Sequence, residues 1–566
     1  MAAPAQPGSP GAARSGLIRL QKRLVKGVKA EIKELLGGVS AELEHYYEEY
    51  RRDLRSYERP ASKRELVERV MAADIVLNGD YHSLKQSQKV PMRILQELLG
   101  SKRPITLAVE AVPARHQEDL DDFLAGEAGE EEFLRRIDYD GTWGFPWANY
   151  RPLFQFARER GLRMLAINSQ PEGSGVLDQR DRAVAGILLK ETLARPKALL
   201  YVMEGDLHIA QAHLPGRLRE SLADAGQRRE ILTVYLNSET IYWDLAEKGL
   251  DQSVDCVRLD ASRYCVMNST PLVKYQSYLH WVRKLEELPH QGHAAWEEGA
   301  GAGPDAEVRR FVHAIAGLLE IRRDDLDDFE TYTTGDLDFL GRLQRDASFS
   351  LGELKEIETQ ILKNESYFVT KGNIIYLATL SLNHAAEEAA HFVHGLCAGT
   401  RQPPSAPRDA FYYRVMREAL GFLGSRIVNP KRTCYEEADF RETLGQMRGR
   451  RRLGGREREL KAISELALGH LDGERKAARG ARFSPGSRAL YRQAAGVHIG
   501  LCHALGYILG SRAHQAMLQG VLGKGEVRAL FHEPFTEPGR AQALYLDLSR
   551  KVRRAPGTAR GSSEHL

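Results

Sequence analysis

The sequence predicts an α/β domain built on a mainly parallel sheet, followed by an all-α domain. Three observations carry that expectation. Between residue 73 and about residue 285, short apolar and β-branched runs alternate with stretches of helical periodicity, the rhythm of βαβ units. Residues 291–304 are small and polar, with the composition of a linker. Beyond them nearly every segment has helical periodicity, apart from a short strand expected at 367–369 and an Arg/Gly-rich loop near 447–458. At 566 residues the chain also exceeds one ordinary core.

The elements follow in order. Residues 1–16 are rich in Pro, Gly, Ala and Ser and are expected to form a disordered tail. Residues 17–61 form an amphipathic helical arm, with Leu20, Leu24, Val28, Ile32, Leu35 and Leu36 on its apolar face. The α/β domain is expected over 62–290. It opens with a helix from Ser62 to Ala72, and its strands are 73–77, 105–109, 163–167, 198–203 and 231–236. Edge strands follow near 256–259 and 264–267. Helices at 116–124, 150–160, 180–193 and 214–223 connect them. The helical domain is expected over 305–552, and 553–566 is a polar tail.

Composition narrows the function classes. With 42% apolar and 28% charged residues, the chain has the make-up of a soluble globular protein. A net charge of +3 gives no electrostatic argument for nucleic acid or an anionic membrane. The arginines of 448–458 lack interleaved aromatics and read as a solvated loop. No run of about 18 apolar residues would span a membrane, and no basic-then-apolar leader opens the chain. Five scattered cysteines without a CxxC pair fit reduced thiols, so the expected location is cytoplasmic.

Two copies of one short pattern carry the chemistry: Gly79-Asp80-Tyr81-His82 and Gly205-Asp206-Leu207-His208. Each follows an apolar run and so stands at the carboxyl end of a strand, where open α/β sheets bind ligands. Glycine there permits close backbone approach, and Asp and His supply acid/base and metal-ligand groups. Other predicted strands end in Glu110, Asn168 and Asn237, the last followed by Glu239. Two imidazoles with several carboxylates at one edge make a divalent-metal or acid/base site. The same residues also read as helix caps with hydrogen-bonded imidazoles.

The first motif continues in order with Ala108-Val109-Glu110-Ala111, Gln117, the Leu-Asp-Asp-Phe-Leu-Ala-Gly of 120–126 and Trp143. The Tyr-Arg-Pro-Leu-Phe of 150–154, Leu165-Ala166-Ile167-Asn168, Glu204-Gly205-Asp206-Leu207-His208 and Leu214-Pro215 complete the series. This series resembles the ChaN-like haem-binding uptake family of the Tiki superfamily over roughly residues 70–245. The family's paired Gly-x-x-His motifs and strand-end glutamate correspond to Gly79/His82, Gly205/His208 and Glu110. Asp80 stands where the family commonly has Glu. The resemblance implies a ChaN/Tiki-like fold and a site for haem or a divalent metal ion such as iron, manganese, cobalt or zinc. His82, Glu110, His208 and Glu239 are the candidate metal ligands, and His82, Tyr81, His208 and Asn168 the cofactor-binding residues. Family relatives with metal-dependent peptidase or esterase activity make a hydrolase the alternative. Glu110, Asp80 and Asp206 would then be the catalytic carboxylates, with Glu239 as a further proton acceptor.

A second constellation lies in the helical domain. His384, Glu387, Glu388, His391 and His394 recur at helical spacing on one face. Glu388-x-x-His391 has the spacing used in di-iron carboxylate bundles. His498, His503 and His514 are further imidazoles, and Glu356, Glu358, Glu365 and Glu418 further carboxylates. The same pattern also reads as a polar helix seam. The expected partners are thus a small-molecule or metal ligand, without nucleic acid or a membrane span, and a homodimer is left open. A third reading makes the protein an interaction scaffold working through its helical domain.

Overall fold

The computed structural model describes residues 10–100, 103–169, 175–287, 304–333, 338–346, 349–362, 365–378, 381–399, 403–448, 450, 452–486 and 488–553. The chain divides into two compact units, one of residues 25–297 and one of residues 1–24 together with 298–565.

The first helix is α1 (Pro10–Leu36), and the unit boundary falls between its Leu24 and Val25. The α/β unit continues with α2 (Ala41–Asp53), β1 (Arg59–Pro60), α3 (Lys63–Ala72), β2 (Ile75–Asp80), α4 (Lys85–Leu98) and β3 (Ile105–Pro113). Then come α5 (Gln117–Ala125), α6 (Glu130–Arg136), α7 (Tyr139–Thr142), α8 (Trp147–Arg160), β4 (Arg163–Asn168), α9 (Val176–Ala194) and β5 (Leu199–Gly205). It closes with α10 (Leu214–Asp224), β6 (Ile231–Leu236), α11 (Glu239–Lys248), β7 (Cys256–Arg258), β8 (Arg263–Val266) and α12 (Pro271–Glu287). The eight strands form one sheet in the order β1-β7-β8-β6-β2-β5-β3-β4. All pairings are parallel except β1 with β7 and β7 with β8. Strands β2, β5 and β6 are buried along their whole length, as strands covered on both faces must be. Val76, Leu107, Tyr201 and Val234 of the sheet pack with Ile94, Leu120 and Phe154 in one core.

Register places the site. Strands β2 and β5 are neighbours, with Gly79 opposite Glu204 and Asp80 opposite Gly205. Strand β3 lies on the other side of β5, with Val109 opposite Met203, so Glu110 emerges beside the second motif.

The helical unit contains α13 (Pro304–Leu318), β9 (Glu330–Thr333), α14 (Asp338–Arg345), α15 (Leu351–Leu362), β10 (Tyr367–Val369) and β11 (Ile374–Leu377). Its larger helices are α16 (Leu382–Ala398), α17 (Pro407–Val428), α18 (Glu437–Met447), α19 (Gly455–Ala478), α20 (Ala495–Leu518), α21 (Lys524–Phe531) and α22 (Arg540–Val552). Helix α20 lies against α17 through Gly506 and Gly510, where an added Cβ would come within 2.8 Å of the Val415 carbonyl and 2.4 Å of the Ala419 carbonyl. Among the described residues no helix is long and apolar enough to cross a membrane.

Two expectations are corrected. The segment 1–16 is not disordered throughout: α1 begins at Pro10, and burial of Leu17, Leu20 and Leu24 favours extending a helix back through a Pro-initiated first turn. The arm of 17–61 is not one body. Gln21 hydrogen-bonds the Ile427 carbonyl at 3.3 Å within the helical unit, whereas α2 belongs to the α/β unit. The second unit is helical as expected, and the strand expected at 367–369 is present as β10, which joins β11 and β9 in a small sheet. Its Thr-Tyr-Thr and Ile-Ile-Tyr-Leu strands are too short for periodicity to reveal. The expected linker, apart from Pro304, and all of the expected tail beyond Arg553 lie outside the described residues.

Candidate functional site

Both motif histidines are held in the same way. His82 follows β2, and its Nδ1 donates to Asp80 Oδ2 at 3.0 Å. Asp80 is itself buried and also accepts from Tyr150 Oη at 2.7 Å and Gln88 Nε2 at 2.5 Å. His208 follows β5, and its Nδ1 donates to Asp181 Oδ1 at 2.6 Å, while Tyr46 Oη donates to Asp181 Oδ2 at 2.8 Å. A carboxylate at Nδ1 fixes the ring and its tautomer and leaves Nε2 as the reactive nitrogen. His82 Nε2 lies 3.5 Å from Glu110 Oε2.

Glu110 is the hub. Its Oε2 accepts the Gly205 N–H at 2.8 Å, and its Oε1 pairs with Arg180. Burial would raise its pKa, but Arg180, His82 and His208 outweigh burial and hold the carboxyl at about 2. Beside it stands Glu204, 2% exposed, with no hydrogen-bond partner for Oε2 among the described residues. Burial and the adjoining Glu110 carboxylate push the Glu204 carboxyl well above the usual range. One ligand atom each of Glu110, Glu204 and His208 lies within 4.8 Å of the others. Burial also opposes a charged His82, yet Glu110 and Asp80 raise its pKa.

The glycines make this packing feasible. A Cβ on Gly205 would stand 3.2 Å from His82 Nε2 and 3.4 Å from both Glu110 Oε2 and His208 Cδ2. One on Gly79 would stand 2.5 Å from Asp206 Oδ1. A side chain at Gly205 would crowd the cluster, and one at Gly79 would collide with Asp206.

Of the residues expected at this site, His82, Glu110 and His208 converge. Asp80 supports His82 rather than standing free as a proton acceptor, because three donors saturate it. Asp206 is tied by Lys274 Nζ at 2.8 Å and Tyr50 Oη at 3.4 Å. Glu239 is drawn into a separate network by Lys29 at 3.0 Å, Tyr275 at 2.7 Å and Trp243 at 3.3 Å, so it is not brought to the cluster. Asn168 ends β4, buried, with no partner for Oδ1 among the described residues. Tyr81 is half-buried under Lys274, 4.4 Å from its ring, and beside Tyr278. Burial pushes its phenol well above the usual value.

Glu204, Asp181 and Arg180 were missed by sequence reasoning. Glu204 immediately precedes the motif glycine Gly205 at the end of an apolar run, and that position was a usable signal. Asp181 and Arg180 lie on α9, and only the fold brings that helix to β5.

An aromatic wall flanks the outer histidine. His82, 21% exposed, lies 4.5 Å from the Trp143 ring and 4.8 Å from Phe145. Phe145 stacks on Trp281 at 4.3 Å, and Trp281 contacts Tyr278 at 5.3 Å.

In the helical unit, Glu387, Glu388 and His391 of α16 face one cavity together with His384. His394 does not join them: its Nε2 donates to the Glu533 carbonyl at 3.0 Å and its ring stacks on Phe535. Burial pushes His394 down to about 3, so it is a neutral core residue.

A family model described as haem-binding uptake, Tiki superfamily, ChaN matches residues 66–174, a span that includes His82 and Glu110 and stops before β5. A solved structure described as cofacial haem binding to ChaN of Campylobacter jejuni is 14% identical. That alignment covers 37% of this chain and 92% of that one, with a TM-score of 0.27. No curated protein matches. Over residues 66–174 the α/β unit is thus similar to the ChaN haem-binding uptake family of the Tiki superfamily.

Proposed function

We propose that the α/β unit binds a metal-centred ligand at the carboxyl ends of β2, β3 and β5. The observation that carries this reading is the pair of imidazoles on separate strand ends, each held at Nδ1 by a buried aspartate beside the same buried glutamates. Carboxylate-oriented histidines are the usual support of a metal ion. The residues present fit one: Glu204 has an unpartnered buried oxygen, and the nitrogen and oxygen donors suit a divalent transition metal such as iron, manganese, cobalt or zinc. Glu110, Glu204 and His208 would hold the ion, with His82 alongside. When bound, such an ion supplies Lewis-acid chemistry. Asp80 and Asp181 orient the two rings, and Arg180 balances the charge of Glu110.

Haem is the second reading, favoured by the family match and by the aromatic wall beside His82. A porphyrin needs apolar walls and an axial side chain, and His82 is the imidazole that reaches solvent.

One experiment separates the two. Purified chain is chelated, reloaded with manganese or iron, and in parallel titrated with haemin. Loss of bound ion in Glu204→Gln and His208→Ala, without a Soret band in the wild type, supports the bare ion. A Soret band abolished in His82→Ala but kept in Glu204→Gln supports haem. Ion and haem binding unchanged in all three variants would refute the shared site. Ester or peptide hydrolysis by the metal-loaded protein, lost in Glu204→Gln, would add catalysis to the first outcome.

A further inference from the structure

The helical unit contains a second cluster of ligand-type side chains, and it comes from three helices. Helix α16 supplies Glu387, Glu388 and His391, α17 supplies Glu418, and α20 supplies His503. Ligand atoms of Glu387, His391 and Glu418 lie within 4.8 Å of one another. His503 Nε2 lies 3.4 Å from Glu418 Oε2. All five residues line a cavity of about 240 Å³.

Two independent features mark this as more than a polar seam. Glu387 is 4% exposed, and although Oε2 accepts from Arg432 at 2.6 Å, Oε1 has no hydrogen-bond partner among the described residues. An unpaired carboxylate oxygen inside a protein is costly unless something occupies it. The helix backbone also makes room for the imidazole: a Cβ on Gly421 would stand 2.3 Å from His391 Nε2. His391 Nδ1 is held by Glu388 Oε2 at 3.1 Å, the same orientation by carboxylate seen for both histidines of the α/β unit. Its Nε2 donates to the Arg417 carbonyl at 3.2 Å, so that contact and the Nε2 proton would have to yield to a bound ion.

We propose that Glu387, His391 and Glu418 form a second metal site, taking a divalent transition metal ion within the helical unit, with His503 at its cavity edge. Two carboxylates and an imidazole are the donors of a manganese, iron, cobalt or zinc site, softer than calcium would select and harder than a thiolate site. The cavity gives space for water or a small anion to complete the shell, as in open rather than purely structural sites. This site is independent of the one in the α/β unit.

The test is titration of chelated full-length protein with Co²⁺ alone, read by visible absorption and by metal content after desalting. The expected result is a class of bound Co²⁺ that Glu418→Gln and His391→Ala weaken at least tenfold, and that Glu204→Gln leaves intact. If the α/β site takes no cobalt, the wild type holds this class alone and Glu418→Gln removes all of it. His503→Gln, at a half-buried position, serves if either variant fails to fold and is expected to change the absorption spectrum. Wild-type stoichiometry, affinity and spectrum in every folded helical-unit variant would overturn the proposal.

Discussion

At the level of single residues, the two motif histidines owe their orientation to carboxylates, Asp80 within the first motif and Asp181 from a distant helix. Asp181 reaches His208 from α9, and its loss should disturb the ring without removing a ligand. Asp181→Asn is expected to weaken metal binding about 10–100-fold, the usual cost of losing such an outer partner; isothermal titration of the chelated protein measures it. Gly205→Ala puts a methyl between His82, Glu110 and His208. That variant should fold, at a cost of about 1–3 kcal/mol from overpacking, and bind metal at least tenfold more weakly. A folded Gly205→Ala with wild-type affinity would show that the glycine serves the turn and not the cluster.

Among elements, helix α22 is held to α19 by one buried carboxylate, that of Glu474. Glu474 accepts from Tyr545 at 2.7 Å, from Ser549 and from Arg553 of the α22 region, and from His470 at 3.0 Å on its own helix. Burial would raise its carboxyl, yet His470, Ser549 and Tyr545 bring it to about 2. A carboxyl depressed in the folded state stabilises fully above its ordinary value near 4.5 and loses that contribution as pH falls toward 2. Glu474→Gln should therefore cost about 2–3 kcal/mol at pH 7. The gap between the urea midpoints of the two proteins is expected to narrow as pH falls below about 4.5 and to close toward pH 2, and a gap that stays constant with pH would contradict the assignment. Strand β10 was expected at 367–369, but its partners β9 and β11 escaped notice. β9 and β11 have four residues each, too few for alternation to stand out, whereas β2, β5 and β6 are continuous apolar runs.

For the whole molecule, metal binding should raise stability by mass action. A ligand at a hundred times its dissociation constant adds about 2.7 kcal/mol to the folded state it binds. Calorimetry of chelated and reloaded protein is expected to show an upward shift that Glu204→Gln abolishes for the transition of the α/β unit; an unchanged profile on reloading would count against a metal there. The division into an α/β unit and a helical unit was legible in the sequence because period-two and period-3.6 patterning are local properties of the chain. The same holds for the strand-end motifs and for Glu110, since a buried run followed by Gly, Asp and His announces itself within a few residues. Which strands become neighbours is not local. The order β2-β5-β3 sets Gly79 against Glu204 and puts Glu110 beside them, although more than a hundred residues separate the motifs. Packing of α9 on that edge supplied Arg180 and Asp181, whereas Lys274 of α12 drew off Asp206 and Lys29 of α1 drew off Glu239. Likewise α16 announced its Glu and His spacing, but only its packing with α17 and α20 chose Glu418 and His503 and left His394 in the core. Local hydrophobic period and turn chemistry set the long strands and helices and the residue kinds at the strand ends, so these were legible in the chain. Tertiary structure alone decided which carboxylates meet which imidazoles, because a side chain's partner is set by burial and competing charges brought from distant segments.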